Sequence, residues 1–228
     1  MKKKTIKNEK KLAKIFTPKK QVCTYALISI NIVIYLYMVL YDTEGSLLYA
    51  LFNNYLLIQK GELYRLFTSM FVHGDIFHLA FNMYALYILG PQVERYYGRK
   101  RFLFIYILSG LLGSVFSSVF LSSSAYSIGA SGAIFGLFGS IMYFTYYYRA
   151  TLQSFLRGPI IPTLLINLAI GITIPGIDLS AHIGGLIGGV LTSMAIGIGD
   201  KGRKADQVNG AIVLVLMFIA MSYFIFIK

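Results

Sequence analysis

Apolar residues in this chain run together in long blocks rather than alternating with polar ones. A helix needs about 20 apolar residues to cross a hydrocarbon core of roughly 30 Å, with about 17 to 25 the usual span. Seven blocks approach that length, at 22–41, 77–92, 102–121, 131–148, 159–174, 180–198 and 210–227. The second and fifth are short. Gly158, Pro159, Pro162, Pro175 and Gly176 bound or bend the fifth, which predicts a tilted or mobile helix. The one long connection, 42–76, contains an apolar stretch from Leu47 to Ile58 that is too short to span and is expected to lie in the membrane interface. No internal repeat appears, and no pair of broken helices at matching places in two halves, the pattern a secondary transporter would carry.

Composition agrees with a lipid rather than an aqueous solvent. Hydrophobic residues make up 57% of the 228 and charged residues 13%, about half the roughly 25% typical of soluble domains. Lysine and arginine outnumber aspartate and glutamate by 21 to 9. They are clustered rather than spread, which argues against a nucleic-acid partner. With the lysine-rich N-terminus taken as cytoplasmic, 18 of the 21 fall on the inner side and only Lys60, Arg65 and Lys228 on the outer. The positive-inside rule then gives a multi-pass protein with its N-terminus inside and its C-terminus outside, in the cell membrane. The first apolar block lacks a small-residue cleavage site before a polar domain and is expected to be a retained helix. The lone Cys23 permits no intrachain disulfide and no cysteine-rich metal site, and reads as a small apolar helix residue.

Against this background, strongly polar side chains inside apolar blocks carry the information, because such groups are costly in a bilayer. Four stand out: His78, Asn82, Ser131 and His182. The topology puts all four toward the outer face, at one depth. Ser131 lies in Gly129-Ala130-Ser131-Gly132-Ala133-Ile134-Phe135-Gly136, and His182 in Ala181-His182-Ile183-Gly184-Gly185-Leu186-Ile187-Gly188-Gly189. Each run holds a Gly-x-x-x-Gly spacing, Gly132 with Gly136 and Gly185 with Gly189, which lets two helix backbones approach closely. A serine hydroxyl is a weak nucleophile until a base about 2.6 to 3.2 Å away takes its proton, so two short side chains on different helices need such an approach. Taken alone, Ser131 reads more readily as a packing residue than as a nucleophile. His78 and Asn82, at i and i+4, share one helix face and taken alone read equally as a structural interhelical hydrogen bond.

Together these runs resemble the rhomboid family of intramembrane serine proteases: its Gly-x-Ser-Gly-x-x-x-Gly signature, its Ala-His-x-x-Gly motif and its His-x-x-x-Asn pair, in the family's order. The resemblance extends over about residues 62–189. It implies an all-α polytopic membrane protein with a six-helix rhomboid-like core at 21–199, after a basic cytoplasmic segment at 1–20. A cytoplasmic linker and a seventh transmembrane helix follow at 200–228. It implies Ser131 as nucleophile and His182 as general base. His78 and Asn82 are then donors to the oxyanion beside the Ser131 NH, and the substrates are single-span transmembrane proteins entering from the bilayer.

Supporting positions follow from the same likeness. Glu62-Leu63-Tyr64-Arg65 resembles the family's Glx-x-Trp-Arg element, with Arg65 in the first outer loop. His73 stands five residues before His78, and Glu94 matches a structural glutamate. Phe135 stands where many members carry tyrosine, and its ring can still stack beside His182. Asp178, four residues before His182, reads either as an orienting carboxylate or, more simply, as a helix cap. There is no His-Glu-x-x-His and no carboxylate within the apolar blocks to complete a metal site, so no metal and no cofactor are expected. Two rivals remain: an adaptor without catalysis, against which the intact Ser131 and His182 argue, and a transporter, against which the confinement of polar groups to the outer half argues.

Overall fold

The computed structural model describes residues 20–42, 44–148, 158, 160–173, 177–198 and 202–227. The basic segment expected at 1–20, apart from Lys20, lies outside them, as do Arg149 and Arg157. The described chain is helical: α1 (Val22–Tyr41), the short α2 (Ser46–Leu51), α3 (Tyr55–Gln59) and α4 (Arg65–Thr68), then α5 (Ile76–Tyr97), α6 (Arg99–Phe120), α7 (Ser131–Tyr147), α8 (Ile160–Thr173), α9 (Leu179–Ile196) and α10 (Lys204–Ile227). Among the described residues, α1, α6, α9 and α10 are long and apolar enough to cross a membrane. The outward faces of α1 and α10 are apolar, with Val33 and Leu40 on one and Val215 and Ile219 on the other all more than half exposed. A soluble protein would not leave two such faces uncovered. The molecule is an all-helical, polytopic membrane protein.

Its centre is a three-helix seam in which α9 lies between α6 and α7, and glycine makes that possible. A Cβ on Gly185 would lie 3.0 Å from the Gly132 Cα and closer still to that residue's carbonyl, and Gly189 meets Gly136 in the same way. Gly184 and Gly188 face α6 instead, where a Cβ would come 2.6 Å from the Phe116 ring and 3.0 Å from the Ser109 Cα respectively. The double glycines therefore serve two faces of one helix, each with a Gly-x-x-x-Gly spacing: Gly185 and Gly189 toward α7, Gly184 and Gly188 toward α6. Phe135, Phe138, Phe144 and Tyr106 fill the buried space around the seam.

Helix ends follow tertiary partners more than local sequence. The second apolar block ends at 92, yet α5 continues through Pro91 to Tyr97. The added turn is held from outside: Glu94, 3% exposed, accepts from the Cys23 N (3.1 Å), the Thr24 N (2.9 Å) and the Thr24 Oγ1 (2.8 Å), and so caps the N-terminus of α1. Thr24 packs so tightly on Gly90 that a Cβ there would lie 2.5 Å from its methyl. The Tyr97 hydroxyl donates to the Ser140 carbonyl (2.7 Å), tying α5 to α7. At the far end of the chain, α10 is held at both ends, by a hydrogen bond from the Tyr147 hydroxyl to Asp206 and by Gln59 Nε2 donating to the Ile225 carbonyl (2.9 Å).

Candidate active site

Ser131 is the first residue of α7. The chain enters it through Gly129, whose φ of +104° suits glycine and whose NH donates to the Ser69 carbonyl at 2.8 Å. Ala130 offers no side-chain cap, so the first-turn amides of α7, that of Ser131 included, are left without a side-chain acceptor at the positive end of the helix.

His182 sits in the first turn of α9 and is 5% exposed. Its ring stacks on Phe135, one helical turn beyond Ser131, with centroids 4.2 Å apart and planes 11° from parallel. On another side lies Gly171 of α8, where a Cβ would come within 3.2 Å of Nδ1. That nitrogen is buried and, among the described residues, has no hydrogen-bond partner. The seam makes its contact next door, a Cβ on Gly132 lying 3.3 Å from the Ala181 carbonyl oxygen. Among the described residues no hydrogen bond joins the Ser131 hydroxyl to His182; active-site hydrogen bonds are often long before substrate arrives.

His78 and Asn82 project from α5 toward the same entry segment. A Cβ on Gly129 would be 2.6 Å from His78 Nε2 and 3.8 Å from Asn82 Nδ2, so glycine is required there for space as well as for backbone conformation. Asn82 Nδ2 donates to the His78 carbonyl (2.9 Å), leaving its second hydrogen for another acceptor. Asp75 caps α5 through the His78 NH (2.8 Å). Behind His78, the His73 ring stands edge-on at 5.0 Å and is 1% exposed. Burial first, and the neighbouring His78 second, push its pKa down to about 3, so the ring is neutral.

The structure thus gathers Ser131, His182, His78, Asn82, His73 and Phe135 at one end of the bundle. Arg65 and Glu94 are elsewhere. Arg65, 3% exposed, pairs with Glu62 (2.6 Å) and donates to the carbonyls of Tyr49 (2.6 Å) and Phe52 (3.2 Å), so it organises the loop between α1 and α5. Glu94 is at the opposite end of α5, where it caps α1. Asp178 caps α9, accepting from the Ala181 NH (3.0 Å) and the Ser180 hydroxyl. Sequence reasoning missed two contributors. Gly171 reads only as a lone glycine in an apolar run. Asn53 fixes the first loop by donating to the Ser114 carbonyl (2.8 Å), accepting from the Ser118 hydroxyl (3.0 Å) and bridging Ser127.

Comparison with known proteins agrees with this geometry. A family model described as the Rhomboid domain matches residues 60–198. Rhomboid protease GluP of Bacillus subtilis (strain 168) is 37% identical over 216 residues, covering 93% of this chain and 42% of the relative. RHOMBOID-like protein 6, mitochondrial, of Arabidopsis thaliana is 41% identical over 136 residues, covering 58% of this chain and 43% of the relative. Rhomboid protease AarA of Providencia stuartii is 31% identical over 234 residues, covering 88% and 83%. The chain spans less than half the length of the first two of these relatives.

Proposed function

The chain belongs to the rhomboid family, and on that premise we propose that it is an intramembrane serine endopeptidase. Its substrates are the transmembrane segments of single-span proteins. The observation that carries the reading is the stacking of His182 on Phe135, one turn from Ser131, beside the glycine contact of α7 with α9.

Ser131 Oγ attacks the scissile carbonyl carbon, and His182 takes its proton. Nδ1 is packed against Gly171, which leaves Nε2 for this transfer. The carbonyl oxygen, now an anion, receives hydrogen bonds from the Ser131 NH, His78 and Asn82. Collapse of the intermediate breaks the peptide bond, the leaving amine takes the proton from His182, and water then hydrolyses the acyl-enzyme by the same route. His73, neutral and buried behind His78, and Phe135 position the two histidines. The protease core is residues 21–199, with 200–228 an added helix. Charge bias supports a cytoplasmic N-terminus and a site toward the outer face of the cell membrane.

Cleavage of a transmembrane reporter by the purified chain tests this. Ser131→Ala and His182→Ala are each expected to lower the rate by about 10³-fold or more. Unchanged cleavage by Ser131→Ala would end the proposed mechanism.

A further inference from the structure

Ser131 is delivered to the site by residues 121–130, the connection between α6 and α7. Connections of this kind are ordinarily among the more mobile parts of a fold, yet a misplacement of 1 Å at a reacting atom is worth about 10²-fold in rate. Two adjacent asparagines in the loop between α1 and α5 hold this one. The Asn53 NH donates to the Ser127 carbonyl (3.0 Å) and the Ser127 NH donates back to the Asn53 carbonyl (2.8 Å), an antiparallel bridge. Beside it, Asn54 Nδ2 donates to the carbonyls of Ser123 (3.1 Å) and Ala125 (2.8 Å). The carbonyls of 123, 125 and 127 are thus all engaged by these two residues, and the Phe52 ring lies 5.1 Å from that of Tyr126.

The asparagines are themselves anchored. Asn53 is 2% exposed; its Nδ2 donates to the Ser114 carbonyl (2.8 Å) and its Oδ1 accepts from the Ser118 hydroxyl (3.0 Å), both toward the end of α6. Asn54 Oδ1 accepts from the NH groups of Leu56 (3.0 Å) and Leu57 (3.3 Å) and so caps α3. Each side chain donates on one side and accepts on the other, which an aspartate or a leucine of similar size cannot do. The main chain of Asn53 therefore grips the connection while its side chain grips the helix from which that connection departs. Closer to the nucleophile, the bond from the Gly129 NH to the Ser69 carbonyl (2.8 Å) ties the connection to the same loop.

We propose that Asn53 and Asn54 are positioning residues for the nucleophile, setting the path of residues 121–130 and with it the placement of Ser131 Oγ and NH; this rests on Ser131 being the nucleophile. Two measurements on the purified full chain in detergent micelles test it. Amide hydrogen exchange of 121–130 reads the clamp without reference to catalysis, and Asn53→Ala and Asn54→Ala should each raise it by about 10-fold, the loss of two side-chain hydrogen bonds. The second measurement is the rate of labelling by a fluorophosphonate, in which Ser131 Oγ displaces fluoride from phosphorus and its proton passes to His182. That probe is small and bypasses the binding of a transmembrane substrate. Per folded molecule, its rate should fall by about 3- to 10-fold in each variant, as should kcat for a transmembrane reporter, with KM unchanged; the shift involved is a few tenths of an ångström. Gln59→Ala breaks the same loop's bond to the Ile225 carbonyl of α10 and should lower thermal stability while leaving both readouts unchanged. An unchanged probe rate in the folded asparagine variants, with or without faster exchange, would overturn the proposal. So would unchanged exchange, or equal losses in Gln59→Ala. Labelling of Ser131→Ala as fast as the parent would instead remove the nucleophile assignment, and exchange would still decide whether the asparagines hold the connection.

Discussion

Gly185→Ala is the sharpest probe of how the fold sets the site. The added Cβ would meet the Gly132 carbonyl carbon at 2.7 Å and its Cα at 3.0 Å, both backbone atoms that cannot rotate away. Restoring an ordinary contact of 3.4 Å to the carbonyl carbon alone requires α7 and α9 to separate by 3.4 − 2.7, or 0.7 Å, along that line, and the carbonyl oxygen, which is nearer still, requires more. Overpacking of this kind costs roughly 1–3 kcal/mol, toward the upper end here because rigid backbone opposes it. The catalytic effect is larger. Ser131 and His182 ride on these helices, and a displacement near 1 Å is worth about 10²-fold in rate, so a loss of roughly 10- to 100-fold in kcat is expected. Gly132→Ala is the internal comparison, because its Cβ would stand 3.3 Å from the Ala181 carbonyl and needs only a few tenths of an ångström. The assay is reporter cleavage in detergent micelles, normalised to the folded fraction and paired with thermal unfolding. Equal kcat for the two alanine variants would refute the claim that the seam sets the distance between Ser131 and His182.

Other expectations follow from the same geometry. Asn82→Ala and His78→Ala should each lower kcat by about 10²- to 10³-fold, roughly 2.7–4 kcal/mol, with KM little changed; a change confined to KM would make the pair a binding feature. Glu94→Ala strips three donors of their acceptor and should cost about 3–5 kcal/mol in thermal or detergent-titration unfolding. Glu94→Gln should cost about half as much, and a glutamine variant as stable as the parent would show that the charge plays no part. The Arg65 guanidinium holds the Glu62 carboxyl below its ordinary value of 4.5, so the pair's contribution is complete above that value and lost as pH falls through the lowered one. Protease resistance of the loop between α1 and α5 should therefore be flat from about pH 6 to 8 and fall below about pH 4. Glu62→Gln should already show the acid-like behaviour at neutral pH.

The sequence was most legible where solvent changes abruptly. α1 begins and ends at 22 and 41, as its apolar block does. α5 was legible only in part. Its last turn exists because Glu94 is bonded to Thr24, 70 residues earlier, and no local pattern reports a partner that distant. The Gly-x-x-x-Gly spacings revealed that α7 and α9 touch, since close approach leaves a one-dimensional signature. Gly184 and Gly188 carry the same spacing, but α6 answers them with Ser109, Leu112 and Phe116 rather than a matching repeat, so the spacing alone names no partner for that face. Phe135 beside His182 was readable as an aromatic at the right interval, whereas Gly171 against the other side of the ring required the fold.

The α5 carboxylate that caps α1 also orders events in time. The amides of Cys23 and Thr24 emerge early in synthesis, but the group that satisfies them lies about 70 residues later. At roughly 5 to 20 residues per second, α1 waits some 4 to 14 s for its acceptor to be made, and longer for α5 to reach it. Until then its first turn must be solvated at the membrane surface. The inner end of α1 is therefore locked late, by a helix that cannot arrive before the whole loop between α1 and α5 and all of the His78 face have been translated.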